Sequence, residues 1–390
     1  MKSRAPLILA AVLVVLCFQT VSAQSDLQIF GFYQARLVRQ TGDISMVLNM
    51  PTPGGIVPMT MVNDADNFIS PSLQQLNFFF RKEINPSLTS WVNLEALNSF
   101  SSDKQWGSFS VEEAWVNYQY NDAFNVKAGL LVPRFNYLNE IKNKMPVLPY
   151  IIRPLVYEQS MAASIHPNEY LPEHAFFQVA GYTPLGGVTF DYSGFVGQSE
   201  SSYILSGETQ SSRPSASDTT TFKAVGGRVG CKAGDLRLGV SATSDKANRQ
   251  STLGEDVNRT RIGADLGYSY SRLFCEGEYI NVHLAPNNTS QNLDKLFAYG
   301  LLGVNITDQL YAYGCYSYLK DNEVTELSFG MSGVNIGAGY KPADAVVIKA
   351  EYVRFASDAS FSQAVAPGVS ADADFHLKLE GLQLAISVLF

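Results

Sequence analysis

The chain is poor in charge, in cysteine and in long apolar runs, and each scarcity excludes a class of protein. Charged residues fill 16% of its 390 positions, well under the roughly one quarter usual for a soluble domain. The four cysteines begin with Cys17, inside an N-terminal apolar run. The other three, Cys231, Cys275 and Cys315, are odd in number and form no CxxC, which argues against a disulfide framework or a zinc site. They read as small apolar residues within strands. The histidines are His166, His174, His283 and His376. None sits in a GxSxG, HExxH or His-x-Ser context, so no enzyme is expected. Glu276 and Glu278 share one face of a strand as a catalytic carboxylate pair would, but wall charges do the same. No loop has an EF-hand ligand pattern, and neither a cofactor nor a metal is expected. Past residue 25 no apolar stretch approaches the ~18 residues of a membrane helix.

The first residues read as a signal peptide. Lys2 and Arg4 precede an apolar run from Ala5 to Phe18, and Val21-Ser22-Ala23 ends it with small residues. That run is shorter than the ~20 residues that span a bilayer as a helix. Bulky Val15-Leu16 ahead of Cys17 disfavour a lipid-anchored form. The expected organisation is a signal peptide over 1–23 and one domain over 24–390. Losing Lys2 and Arg4 leaves 26 of the 28 basic residues against 36 acidic ones, a net charge of −10. That balance argues against nucleic acid as a partner.

What the chain does have is 20 Tyr, 23 Phe and 30 Gly, with a mean hydropathy near zero. Few charges and many aromatics suit a protein with one face in lipid and the other in water. Strand-length alternation recurs throughout. Ile262, Ala264, Leu266, Tyr268 and Tyr270 occupy one face of a strand, while Arg261, Gly263, Asp265, Gly267 and Ser269 occupy the other. Leu76, Phe78 and Phe80 alternate with Gln75, Asn77, Phe79 and Arg81, and Val346, Ile348, Ala350 and Tyr352 with Lys349 and Glu351.

The connections alternate too. Tight turns rich in Gly, Pro, Asn and Asp fall at Asn85-Pro86-Ser87, Asn121-Asp122-Ala123, Pro184 to Gly187, Ala233-Gly234-Asp235, Ser271-Arg272, Thr307-Asp308-Gln309 and Pro342-Ala343-Asp344. Longer polar stretches lie between them, near 38–72, 100–107, 133–173, 198–219, 246–258, 284–293, 320–323 and 357–373. Seven turns and eight loops join sixteen strands; eighteen stays within reach of the same pattern. A chain that enters a membrane by strands must close on itself, because unpaired backbone groups cost several kcal/mol each in hydrocarbon. The expected fold is therefore all-β: a transmembrane antiparallel β-barrel with short turns at one end, long loops at the other and an aqueous lumen. Phe375 to Leu379 run against the phase of the last strand, and a bulge at Gly381 would reconcile them.

Charges must avoid lipid, so those within strands mark the inward phase: Arg36, Arg81, Glu83, Glu95, Glu113, Lys127, Arg228, Arg237, Arg261, Asp265, Glu276, Glu278, Lys349 and Glu351. They would either set a field across the lumen or stiffen the wall as salt bridges. Tyr118, Tyr120, Tyr268, Tyr270, Tyr340 and Tyr352, near strand ends, suit an interfacial girdle. Trp91 and Trp115 on the inward phase, with Trp106 at the rim, could instead contribute to sugar binding.

The run Leu382-Gln383-Leu384-Ala385-Ile386-Ser387-Val388-Leu389-Phe390 resembles the C-terminal strand of Gram-negative outer-membrane proteins. The stretch Ser110-Val111-Glu112-Glu113-Ala114-Trp115-Val116-Asn117-Tyr118, followed by Val126-Lys127-Ala128-Gly129-Leu130 and Pro133-Arg134-Phe135, resembles a hairpin common in porins, including phosphate-selective ones. Together these features are similar to the Gram-negative porin superfamily. The resemblance implies outer-membrane lipid as surroundings, recognition of Phe390 by the barrel-assembly machinery, a homotrimer, and passive diffusion of small hydrophilic solutes. It also implies that the third long loop, 133–173, folds inward and narrows the lumen. Arg134, Lys142, Lys144 and Arg153 against Glu140 and Glu158 would give that constriction a net charge of +2 and a mild anion preference; a solvated surface loop is the alternative. A substrate-specific, phosphate-like anion channel, and a non-conducting barrel serving as adhesin or anchor, are the competing functions.

Overall fold

A computed structural model describes residues 27–52, 55–97, 109–158, 167–198, 223–248, 256–285, 293–324, 327–366 and 369–390. The proposed signal peptide, Trp106, His166 and the stretches near 100–107 and 198–219 lie outside them, in whole or in large part. Sixteen antiparallel strands, each bonded to its sequence neighbours, close into one barrel through the pairing of first and last. They are β1 (Gln28–Thr52), β2 (Gly55–Asn85), β3 (Leu88–Leu97), β4 (Ser110–Asn121), β5 (Phe124–Leu131) and β6 (Ala175–Leu185). Then come β7 (Val188–Gln198), β8 (Lys223–Ala233), β9 (Leu236–Asn248), β10 (Asp256–Tyr270) and β11 (Leu273–Ala285). The last are β12 (Leu293–Asn305), β13 (Leu310–Val324), β14 (Leu327–Ala343), β15 (Val346–Ala366) and β16 (Val369–Leu389).

The pleat sorts the side chains as the alternation requires. On β10, Ile262 and Leu266 face outward and are 55% and 42% exposed, whereas Arg261 and Asp265 face inward at 0% and 5%. Tyr118, Tyr120, Tyr268, Tyr270 and Tyr340 stand exposed on the outer face beside the tight turns. All seven turns form where turn chemistry places them. Between β6 and β7, Gly186 and Gly187 take φ of 57° and 85°, the left-handed pair that a two-residue hairpin turn demands. At the seam Phe390 exchanges backbone hydrogen bonds of 2.9 and 3.0 Å with Gly31, and its ring meets Phe78 at 5.7 Å.

Three expectations change. The stretches 38–72 and 357–373 are largely strand: β1 and β2 stay paired out to Thr52 and Gly55, and β15 and β16 out to Ala366 and Val369. These hairpins, with strands of 25, 31, 21 and 21 residues, run well beyond their ten-residue neighbour β3. Likewise 320–323 belongs to β13. No bulge forms at Gly381, which pairs in unbroken register with Val353 on one side and Gln40 on the other. The phase runs straight through, so Leu379 turns inward against the core. Lys378 and Glu380 turn outward, where Glu380 bridges to Lys378 at 3.0 Å and to Arg354 at 3.7 Å. Reversed polarity is tolerated there because that part of the wall has left the apolar band.

Candidate functional site

The chain between β5 and β6 folds into the barrel. It contains a six-residue helix (Asn136–Ile141), a 3-10 turn (Leu155–Tyr157) and a short helix (Pro167–Tyr170). Its entry depends on Gly129, whose φ of +125° and close approach to the Ala114 carbonyl exclude a Cβ. Phe135, Leu138, Met145, Leu148, Leu155 and Val156 of the loop are buried against inward residues of β11–β15 such as Ile280, Val282, Phe297 and Leu319. One side of the lumen is thus a packed apolar core, driven by the burial that drives a soluble domain.

Polar groups on the wall fix the loop backbone. Lys349 Nζ donates to the carbonyls of Met145, Leu148 and Tyr150 at 2.7, 2.8 and 3.2 Å. Glu351 accepts from Ile151 N and Ile152 N at 2.9 and 3.0 Å and from the Tyr313 hydroxyl. Glu278 accepts from Leu138 N at 2.7 Å and from the Tyr157 hydroxyl at 2.5 Å. Burial, then the Glu278 charge, hold that phenol well above its ordinary range, so it remains a donor. From β2, Gln74 Nε2 reaches Ile151 O at 2.9 Å and Gln75 Nε2 reaches Asn143 O at 3.1 Å. Asn143 Nδ2 donates to Glu112 Oε1 at 2.7 Å. A buried loop needs such partners, since each unmet backbone group costs free energy.

Two of these contacts come from bulges. The β1–β2 register shifts at Gln34/Ala35, which brings consecutive Gln74 and Gln75 both to the inside. The β3–β4 register shifts at Asn93/Leu94 and does the same for Glu112 and Glu113. Sequence reading missed Gln74 and Glu112; the signal was two adjacent polar residues that break the alternation.

The residues expected to line a constriction divide sharply. Arg153 is buried, 3.6 Å from Glu158, and bonds Lys142 O at 2.9 Å. Arg261 is buried on Glu169 O at 2.9 Å. Glu95 is buried under Gln75, and Lys142 is buried beside Arg153. Arg228 grips Asp265 with bonds of 2.9 and 2.7 Å and touches Asp191 at 2.5 Å. These six therefore brace the wall and the loop rather than face open water.

Arg81, Glu113, Lys127, Arg134, Glu140 and Lys144 keep solvent contact. Arg134 Nε bonds Glu140 Oε1 at 3.1 Å. Burial alone would raise the Glu140 carboxyl, but Arg134, Lys127 and Lys144 outweigh it and hold the group below the ordinary carboxylate range. Among the described residues no group of three or more His, Cys, Asp or Glu is placed to hold a metal ion, and the cysteines at 231, 275 and 315 are free thiols.

No family model matches the chain, and no curated protein does. Solved structures do. The anion-selective porin from Comamonas acidovorans is 12% identical with a TM-score of 0.55, over 94% of this chain and 100% of that one. The outer membrane channel DcaP of Acinetobacter baumannii is 12% identical with a TM-score of 0.56, over 95% and 99%. OmpT of Vibrio cholerae in its trimer form is 12% identical with a TM-score of 0.56, over 94% and 100%. The chain therefore has the fold of the sixteen-stranded outer-membrane porins.

Proposed function

We propose that this chain is an outer-membrane porin, exported through a signal peptide over 1–23, that passes small hydrophilic solutes by passive diffusion with a mild preference for anions. The observation that carries this reading is the inward-folded loop. It is fastened by Lys349 and Glu351 on β15, Glu278 on β11, Gln74 and Gln75 on β2, and Glu112 on β4. Beside it, inward-facing Glu113, Lys127 and Asn117 keep partial exposure, which water reaches from within the barrel. In the loop, Arg134 pairs with Glu140 and Arg153 with Glu158. Lys144, exposed on the loop, then carries positive charge beside the solvent with Lys127 adjacent, and charge on a narrow low-dielectric passage selects permeating ions.

The comparisons support the reading through proteins described as an anion-selective porin and an outer membrane channel. A homotrimer follows the trimer form of the Vibrio protein, and Phe390 is the end that barrel-assembly machinery would engage.

Planar-bilayer recording of the refolded protein tests the proposal. Discrete ohmic current steps are expected, with a reversal potential on the anion side under a KCl gradient. Folded protein that gives no steps and leaves liposomes osmotically sealed would overturn it and favour a non-conducting anchor or adhesin.

A further inference from the structure

The inner wall carries an aromatic strip that the loop does not fully cover. Phe30 and Phe79 lie 5.3 Å apart between ring centroids, Phe79 and Trp91 5.1 Å, and Trp91 and Trp115 5.8 Å with planes only 15° apart. Four neighbouring strands, β1 to β4, thus present one continuous row of rings to the lumen. Phe79 is buried and roots the row in the core, while Phe30 is 38% exposed and Trp91 and Trp115 are half-buried. The row lies in the turn-side half of the barrel, since β3 begins at Leu88 and β4 ends at Asn121.

A cation stands over it. Lys127 Nζ lies 4.4 Å from the Trp115 ring centroid, and no carboxylate lies within ion-pair distance of that ammonium among the described residues. Glu113 is occupied by Trp115 Nε1, which donates to it at 3.1 Å. Arg134 and Lys144 share the local field of Lys127 with Glu140 and Glu113. A pore site must bind weakly enough to release its solute, and a ring face combined with one ammonium that has no direct ion pair meets that condition for a flat solute bearing an anionic group.

We propose that Phe30, Trp91, Trp115 and Lys127 form a weak recognition site for aromatic carboxylates, the ring resting on the exposed faces and the carboxylate on Lys127. This rests on the channel reading for its biological use but not for its test.

Tryptophan fluorescence of the detergent-folded protein in a Trp106→Phe background reports only Trp91 and Trp115. Benzoate should give a saturable change. Benzyl alcohol, which keeps the ring, and acetate, which keeps the charge, should each bind at least tenfold more weakly. Lys127→Gln should weaken benzoate about tenfold and leave benzyl alcohol as it was, and Phe30→Leu should weaken both. In bilayers, benzoate should reduce chloride current saturably. A response to acetate or to a neutral hexose equal to that for benzoate overturns the site, as does benzoate binding that survives Lys127→Gln unchanged. The wild-type titration does not depend on any variant folding. Saturable fluorescence from a protein that conducts nothing would sink the channel and keep the site; conduction without a benzoate response would do the reverse.

Discussion

The two sides of the lumen are built on different physics. On β11–β15 the inward phase carries Ile280, Val282, Phe297, Leu319, Val353 and Phe355, which pack against the loop as a core. On β3–β9 it carries Glu95, Glu113, Lys127, Arg228, Arg237 and Ser241, which meet water, one another or the loop's polar edge. Both sides keep the strand period of two; they differ in what sits in front of them. Most of the apolar inward residues lie under the loop and most of the polar ones meet water or a polar partner, so the inside of a barrel is not one environment. Lys349, Glu351 and Glu278 are exceptions that fit this account. They are charges set in the apolar side, and each is consumed by loop backbone or hydroxyl groups.

The comparison breaks most directly at its anchors. Lys349→Met leaves the carbonyls of Met145, Leu148 and Tyr150 without their donor, at a cost of about 3–5 kcal/mol. The loop should then leave the wall, and single-channel conductance should rise severalfold; unchanged conductance would show that the loop holds by apolar packing alone. Tyr157→Phe takes one donor from Glu278 and should cost about 1–3 kcal/mol, read as a lower thermal unfolding midpoint with conductance retained.

On the wet side, smaller effects are expected in selectivity rather than stability. Lys144→Glu places a negative charge on an exposed loop position and should move the reversal potential toward cations without altering thermal unfolding. A potential that stays put would remove Lys144 from the ion path.

Glu140 supplies the finest test. Its carboxyl is held below the ordinary value of about 4.3 by Arg134, Lys127 and Lys144 despite burial. Its pairing with Arg134 is therefore fully present above that ordinary value and is lost only as pH falls through the group's own lower one. Reversal potentials should show a shift toward anions that begins in that acid window, and Glu140→Gln should abolish that step and no other.

Much of the architecture was legible from local chemistry. The strands of β10 and β15 show their faces residue by residue, and turns such as Pro184 to Gly187 and Ala233-Gly234-Asp235 announce themselves by composition. The stretches 38–72 and 357–373 were not legible as strands because, beyond the apolar band, neither face is obliged to be apolar. The site was legible only in part. Lys127, Arg134, Glu140 and Lys144 stand where an inward loop beside a charged wall puts them. Arg153, Arg261 and Glu95 read as pore charges because a sequence shows phase but not what covers a residue. Glu112 and Gln74 were hidden by bulges that suspend the phase altogether.

Taken alone, the order of residues decided strand number, turn positions and which face of each strand avoids lipid, because those depend on neighbours one or two places along the chain. Tertiary structure decided which inward charges are free and which are spent, because the partners of Lys349 lie about 200 residues away. Contacts at that distance exist only once the barrel has closed around its own loop.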